Sequence, residues 1–256
     1  TVNRPLTFTA ANWNTPQTVT ITGVNDNLVD GTITSTVTVA VNDGSSDNNF
    51  DPVADQTVSV STTDNDTAGF TITETGGSTA VAETGTTDTF AVVLTAQPTS
   101  DVVITITSSD TGEATVNSPL TFTPANWNSA QTVTVTGVDD NIIDGTITST
   151  ITIAVDDANS DNDFDALADQ TVSATTTDND TAGFTIAQSG GSTSVSESGT
   201  TDTFTVALTA QPASNVVIAI SSNDTGEATL SGTLTFTPAS WNSAQTVTVT
   251  GVDDNI

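Results

Sequence analysis

Carboxylates are the only side chains present in number that could do chemistry. The chain carries 31 acidic residues against one basic residue, and it has no histidine, cysteine or tyrosine. Oxygen ligands without histidine or cysteine select hard cations, and calcium, which takes about six to eight oxygens at flexible geometry, suits them better than magnesium. In the middle of the chain the candidate ligands are Glu83, Asp110, Glu113, Asp139, Asp140, Asp144, Asp178 and Asp180.

The same composition argues against catalysis. Because the one basic residue is Arg4, the chain also lacks lysine, and with histidine and cysteine absent most nucleophiles, general bases and Schiff-base formers are missing. Glycosidases work with carboxylates alone, but their sites usually also carry aromatic platforms, and none is apparent here. We therefore expect a protein that is not an enzyme.

The formal net charge of −30 limits the partners. Nucleic acid and anionic membrane surfaces would both be repelled. No apolar run approaches the roughly 20 residues that a membrane-spanning helix needs. The sequence therefore predicts neither nucleic-acid binding nor membrane insertion.

These acidic stretches belong to a repeat. The segment LTFTPANWNSAQTVTVTGVDDNI begins at Leu120 and recurs with few changes from Leu6 and from Leu234, so that its tryptophan falls at positions 13, 127 and 241, a period of 114 residues. Segments of near-identical sequence at a fixed period predict a tandem array of one repeated domain. We divide the chain into the C-terminal part of a unit (1–67), a complete unit (68–181) and the N-terminal part of a unit (182–256).

Inside the complete unit, apolar residues alternate with threonine or other small or polar residues, which predicts strands with one buried face. Turn residues separate about seven such strands in roughly 110 residues, as an immunoglobulin-like sandwich requires. The predicted fold is all-β, a tandem of seven-stranded antiparallel β-sandwiches, with Trp127 closing one end. The predicted core positions are Phe90, Val92, Leu94, Val102, Ile104, Ile106, Leu120, Phe122, Val133, Val135, Ile147, Ile151, Ile153, Val155 and Val172.

Strands of alternating direction place every second loop at the same end of a sandwich. With the strands lettered A to G, the A–B loop, the C–D loop, the E–F loop and the end of strand G bring all eight carboxylates to one end. So many carboxylates would repel each other by several kcal/mol unless cations lay among them. The opposite end receives the F–G loop, which either binds metal as well or is merely solvated; its acids are Asp157, Asp161, Asp163, Asp165 and Asp169.

Three segments carry a resemblance to a known family: VAETG around Glu83, VTVTGVDDNIID ending at Asp144, and the closing TTDND. In order and spacing they resemble the Calx-β domain of sodium–calcium exchangers and large bacterial surface proteins. The resemblance implies calcium ligands at Glu83, Asp139, Asp140, Asp144, Asp178 and Asp180. In the first piece the corresponding residues are Asp26, Asp30, Asp64 and Asp66, and in the last they are Glu197, Asp253 and Asp254.

The chain departs from that family pattern at three places. Asn25 stands where the complete unit has Asp139, which predicts weaker binding in the first piece. Where the family often has an aspartate after the C–D turn, Glu113 is followed by alanine, which leaves Asp110 or Glu113 as the substitute. The closing triplet contains Asn179, which offers only a neutral oxygen.

A function follows from where the sites fall. Only one threonine separates the closing TDND of one unit from the AGF of the next, and the next unit's F–G loop points back towards this junction. Calcium there would fix the angle between units, as in a stalk or filament of an adhesin-like protein on a bacterial cell surface. The alternative is an adhesive module that binds a glycan, a surface or another cell. The expected partners are neighbouring units, with lateral or end-to-end assembly of copies if neighbouring chains supply missing strands.

Overall fold

The computed structural model describes residues 5–253 and is built from strands, with four 3-10 turns as its only helical segments. The predicted all-β fold class is confirmed. No helix in this described part has the length and hydropathy needed to cross a membrane.

The complete unit is a sandwich of two sheets. The four-stranded sheet has the order β3 (Phe70–Glu74), β5 (Thr87–Leu94), β9 (Gln131–Gly137) and β7 (Ala114–Val116). The five-stranded sheet has the order β4 (Thr79–Ala82), β11 (Gln170–Thr177), β10 (Ile147–Val155), β6 (Val102–Ser108) and β8 (Leu120–Phe122). Counting β3 with β4 as strand A, and β7 with β8 as strand D, gives the seven predicted strands.

One pairing departs from the antiparallel rule. Strand A crosses from one sheet to the other at Gly76 and Gly77, which both have positive φ, a conformation that glycine adopts without strain. Its first half, β3, pairs antiparallel with β5, whereas its second half, β4, pairs parallel with β11. The chain changes sheets without reversing direction, so β4 runs alongside the last strand of the unit.

The core lies between these two sheets and follows the predicted alternation. Thirteen of the predicted positions are buried, while Ile147 and Val155 are only half-buried near the ends of β10. Trp127 packs against this core, as predicted, and its carbonyl accepts the N–H of Leu94 at 3.3 Å.

The flanking segments repeat parts of this architecture. In the first, β1 (Ile33–Val39) pairs with β2 (Gln56–Thr62) as β10 pairs with β11. In the last, β12 (Phe184–Gln188), β13 (Thr201–Leu208), β17 (Gln245–Gly251) and β15 (Ala228–Leu230) form one sheet, and β14 (Val216–Ile218) and β16 (Leu234–Phe236) form another. The last segment has a small core of its own around Phe236, but some apolar side chains that the complete unit buries are exposed: Phe184 is 55% exposed, whereas its counterpart Phe70 is 6% exposed.

Candidate metal centre

The eight predicted ligand carboxylates of the complete unit are positioned by four strands that end on the same side. Strands β4, β6, β9 and β11 run in one direction, and the segments that follow them carry the acids. We call these segments the A–B loop (83–86), the C–D loop (109–113), the E–F loop (138–146) and the closing segment (178–180). All eight predicted residues fall in this cluster of loops, which we call the acidic cluster.

Glu83 lies at the centre of the acidic cluster. Its backbone N–H donates to the carbonyl of Thr177 at 3.1 Å, and its Oε2 accepts the N–H of Asn179 at 3.0 Å. Gly137 lets strand A approach strand E this closely, because any Cβ at that position would overlap the carbonyl oxygen of Ala82. The side chain of Glu83 is only 1% exposed, so a carboxylate is placed in the interior.

Glu113 is the second buried acid, at 6% exposure. Its carbonyl accepts the N–H of Val138 at 2.9 Å and the hydroxyl of Thr176 at 3.2 Å, which ties the C–D loop to the E–F loop and to strand G. Asp110 is exposed, and its Oδ1 accepts the N–H of Gly112 at 2.9 Å. Of the two residues left open by the sequence, Glu113 is therefore the one that faces Glu83.

Asp178 holds the E–F loop in place. Its Oδ2 accepts the N–H groups of Asp144 and Gly145 at 3.1 and 2.9 Å, and its Oδ1 accepts the N–H of Asp180 at 2.6 Å. Gly145 has φ of +77°, a left-handed conformation that a residue with a Cβ rarely adopts. Backbone donors from Gly145 and Asp180 lower the pKa of Asp178 against the opposing effect of desolvation. Asp178 therefore stays ionised and anchors the loop.

Carboxylate oxygens converge in two groups of three, in each of which the ligand atoms lie within 4.8 Å of one another. One group is Glu83, Glu113 and Asp140, and the other is Glu83, Asp178 and Asp180. Glu83 belongs to both. Asp180 also has a buried oxygen, Oδ2, that accepts no hydrogen bond. A buried carboxylate oxygen without a hydrogen-bond partner, beside two such groups, fits the role of a cation ligand.

The carboxylates of the acidic cluster repel each other, and this repulsion and their burial raise several of their pKa values. Burial raises the pKa of Glu83 and of Glu113, and neighbouring carboxylates, among them Asp140 and Asp144, raise both further. Burial and then neighbouring aspartates likewise raise the pKa of Asp144 and of Asp180. Since the single basic residue, Arg4, lies outside the described residues, no positive side chain among residues 5–253 opposes this repulsion. The donor set, all hard oxygen and strongly negative, fits a divalent cation such as calcium.

Asn179 has a different role from the one predicted. The sequence indicated at most a neutral ligand oxygen, but its side-chain Nδ2 donates to Oδ1 of Asp139 at 2.9 Å and its backbone N–H donates to Glu83. Asn179 thus orients two carboxylates through its nitrogen atoms. Asp139 itself is exposed at the edge of the acidic cluster, and its charge contributes to the raised pKa of Asp180.

The first piece repeats half of this arrangement with its four predicted residues. Asp64 accepts the N–H groups of Asp30 and Gly31 at 3.0 and 2.9 Å, and that of Asp66 at 2.7 Å. Desolvation raises the pKa of Asp30, and the charges of Asp26, Asp64 and Asp66 raise it further. These four residues therefore lie together.

In the last piece Glu197 differs in burial from Glu83 of the complete unit, and the role of the predicted residues as ligands stays a prediction. Glu197 and Asp253 are exposed, and Asp254 lies outside the described residues. Glu197 is exposed because the strand that buries Glu83 has no counterpart within 182–253. Glu227 lines the same cleft as Glu197 and was not predicted, nor was Asp224; both stand 114 residues after Glu113 and Asp110, so the repeat register would have identified them.

The F–G loop (156–169) lies at the other end of the unit, and its most buried acid, Asp161, holds the loop against the B–C loop (95–101) through hydrogen bonds. Asp161 Oδ2 accepts the N–H and hydroxyl of Thr99, both at 2.6 Å, and the N–H of Ser100 at 2.8 Å. Although burial raises the pKa of Asp161, these hydrogen bonds outweigh it and the pKa is lowered. Asp157, Asp163 and Asp169 are exposed. Asp165 is half-buried, and its buried Oδ1 has no hydrogen-bond partner. Asp161 therefore anchors the loop, and metal binding at this end stays a prediction.

Comparison with known proteins gives weak likenesses only. No family model matches the chain, and no curated protein matches it significantly. The calcium binding domain CBD12 of CALX1.1 is 14% identical, the match covers 72% of this chain and 76% of that chain, and the TM-score is 0.29. Domains 1–6 of the surface layer protein SbsC are 18% identical, with 77% of this chain and 23% of that chain covered and a TM-score of 0.31. TM-scores this low carry no argument about function, which rests on the chain's own residues.

Proposed function

We propose that this chain is a calcium-stabilised structural repeat region of an extracellular surface protein, acting as a stalk or filament. The proposal depends on one observation: two sets of three carboxylates converge, and both sets include the buried Glu83. A site of this kind needs an ion to fold stably, because a buried carboxylate without a positive partner is costly.

The counter-charge cannot come from the protein itself. With 31 acidic residues and one basic residue, side-chain ion pairs can neutralise almost none of the acidic cluster. Bound cations are then the available source of positive charge. Calcium is preferred to magnesium because the ligands come from four separate segments at uneven depth, and calcium accepts irregular oxygen coordination whereas magnesium demands near-octahedral geometry.

The expected gain in stability is large on the scale of a single domain. At calcium concentrations about 100 times the dissociation constant, each site adds about 2.7 kcal/mol to the free energy of unfolding. Extracellular modules typically bind calcium at about 10⁻⁴ to 10⁻³ M, so about 10 mM calcium reaches this ratio for the tighter sites, and about 1 mM calcium occupies them with a gain of about 1.4 kcal/mol each. This match between the typical affinity of such sites and the calcium concentration outside cells supports an extracellular structural role.

The sites also fall where they would stiffen an array. The closing segment of each unit leads into the next through Thr67 or Thr181, and in both places the following unit bonds to this threonine. The hydroxyl of Thr209 donates to the carbonyl of Thr181 at 3.0 Å. Ordering the acidic cluster therefore orders the junction.

Small-angle X-ray scattering of the 256-residue protein tests the stiff-rod proposal. The maximum dimension and the shape of the distance distribution are compared in chelator, in millimolar calcium and in millimolar magnesium. We expect calcium to give a narrower range of extended conformations. Identical scattering in chelator and in calcium would contradict the proposal.

A further inference from the structure

Each junction between units is a contact of two defined loops. The E–F loop of one unit (24–32 or 138–146) contacts the B–C loop of the next (95–101 or 209–215). At the first junction, the carbonyl of Asn27 accepts the N–H of Gln97 at 2.7 Å, and the carbonyl of Gln97 accepts the N–H of Val29 at 3.0 Å. At the second, the carbonyl of Asn141 accepts the N–H of Gln211 at 2.6 Å. We call this contact the junction clamp.

The B–C loop presents a firm surface to the clamp. Ala96 and Pro98, on either side of Gln97, are buried, and the Gln97 side chain donates to the carbonyl of Pro124 at 2.9 Å. Asp161 holds the next residues of the loop through Thr99 and Ser100. Val29 packs against the core of the complete unit, so the clamp combines backbone hydrogen bonds with apolar burial.

The residues of the clamp lie between carboxylates of the preceding unit's acidic cluster. Asp26 Oδ1 accepts the N–H of Leu28 at 3.1 Å, and Asp140 Oδ1 accepts the N–H of Ile142 at 2.6 Å. Leu28 and Ile142 are the residues that form a parallel bridge with Gln97 and Gln211. One conformation of the E–F loop therefore does two things: it holds the loop's aspartates in the acidic cluster, and it presents the backbone that contacts the next unit.

We propose that docking of the next unit and cation binding are coupled through the E–F loop, so that Gln97 and Gln211 are positioning residues for the acidic cluster of the preceding unit. The inference rests on the proposed function. Without a cation, repulsion among the carboxylates works to spread the loop, whereas a docked next unit holds its backbone in place. The coupling is reciprocal: if cation binding makes docking of the next unit more favourable by some free energy, docking makes cation binding more favourable by the same free energy. Cations would therefore bind more weakly to a unit whose neighbour cannot dock.

The test compares Gln211→Pro with Gln211→Ala in the 256-residue protein. Proline removes the N–H that donates to Asn141, while alanine keeps that N–H and serves as the matched control. Calcium is titrated and followed by NMR at the amide signals of Gly145 and Asn179, which bond within the complete acidic cluster. We expect the dissociation constant to rise about fivefold in Gln211→Pro and to be unchanged in Gln211→Ala.

Two results would overturn the inference in distinguishable ways. Equal calcium affinity in the parent and in Gln211→Pro overturns the coupling but leaves the proposed function standing. Amide signals that do not respond to calcium in the parent overturn the proposed function and the coupling together.

A second measurement needs no variant. Hydrogen exchange of the Gln97 and Val29 amides is measured in chelator and in calcium, with the Thr95 amide as control because it bonds within its own unit, to Gly69. We expect calcium to slow exchange at Gln97 and Val29 by at least about tenfold more than at Thr95. An equal change at all three amides would contradict the coupling.

Discussion

At the scale of single residues, the central feature is a buried carboxylate for which residues 5–253 contain no positive side chain. Glu83 is buried, it is shared by two groups of carboxylate oxygens, and its Oε2 accepts a hydrogen bond from the backbone N–H of Asn179. Burial of a charge with so little compensation destabilises the fold unless an ion is bound.

Replacing Glu83 by glutamine tests this directly. Glu83→Gln removes a charge whose pKa is raised by burial and by neighbouring acids, so we expect the metal-free protein to melt at a higher temperature. The calcium-induced rise in melting temperature should be largely lost. Calorimetry measures both. Glu197→Gln, the same change at the exposed equivalent position, should alter neither, and equal effects of the two substitutions would contradict this role of Glu83.

The pH dependence of stability should change sign with calcium. Four acids of the acidic cluster have raised pKa values in the folded protein: Glu83, Glu113, Asp144 and Asp180. Their protonated forms add to the free energy of unfolding, and this contribution is lost as pH rises through the raised pKa values. Metal-free protein should therefore melt lower as pH rises above about 4.5. In calcium, protons compete with the ion, and the melting temperature should rise over the same range. Parallel pH profiles with and without calcium would count against the site.

At the scale of elements, the acidic cluster depends on how closely strand A approaches strand E. Gly137→Ala should destabilise the complete unit by about 3 kcal/mol, because its Cβ would overlap the carbonyl of Ala82 and the strands would have to separate. Denaturant unfolding measures the cost. Gly23→Ala is the matched control, since the nearest atom to a Cβ there is Cγ2 of Thr62 at 3.8 Å. A similar cost at both positions would show that packing against Ala82 is not the cause.

The sequence predicted the elements better than the contacts between them. Period-two alternation identifies the core of the complete unit because each inward position lies on a strand with one buried face, as at Phe90 and Ile153. It does not reveal that strand A changes sheets at Gly76 and Gly77, since alternation continues on both sides of the kink. The alternating direction of the strands correctly predicted that Glu83 and Asp178 lie at the same end of the sandwich. The burial of Glu113 and the hydrogen bond donated by Asn179 depend on side-chain rotamers, which a sequence pattern does not predict.

At the scale of the whole molecule, the junction clamp joins the complete sandwich to the segment before it and to the segment after it. The aspartates of the first piece and the acidic cluster of the complete unit lie next to these two contacts. Because one loop contributes both carboxylates and clamp residues, we expect the stability of a unit and its connection to the next to respond to the same ion. The division into units at 67 and 181 stays a prediction, and limited proteolysis in chelator should cut first near Thr67 and Thr181 if it is right.

The central claim is that the acidic cluster binds calcium and thereby stabilises the fold. The most direct test is a calorimetric melt of the 256-residue protein in chelator, in millimolar magnesium and in millimolar calcium. We predict that calcium raises the melting temperature of the complete unit by about 5 °C or more, because a site with a dissociation constant of about 10⁻⁴ M adds about 1.4 kcal/mol at about 1 mM calcium, and that magnesium does much less. An identical melt in all three solutions would contradict the claim.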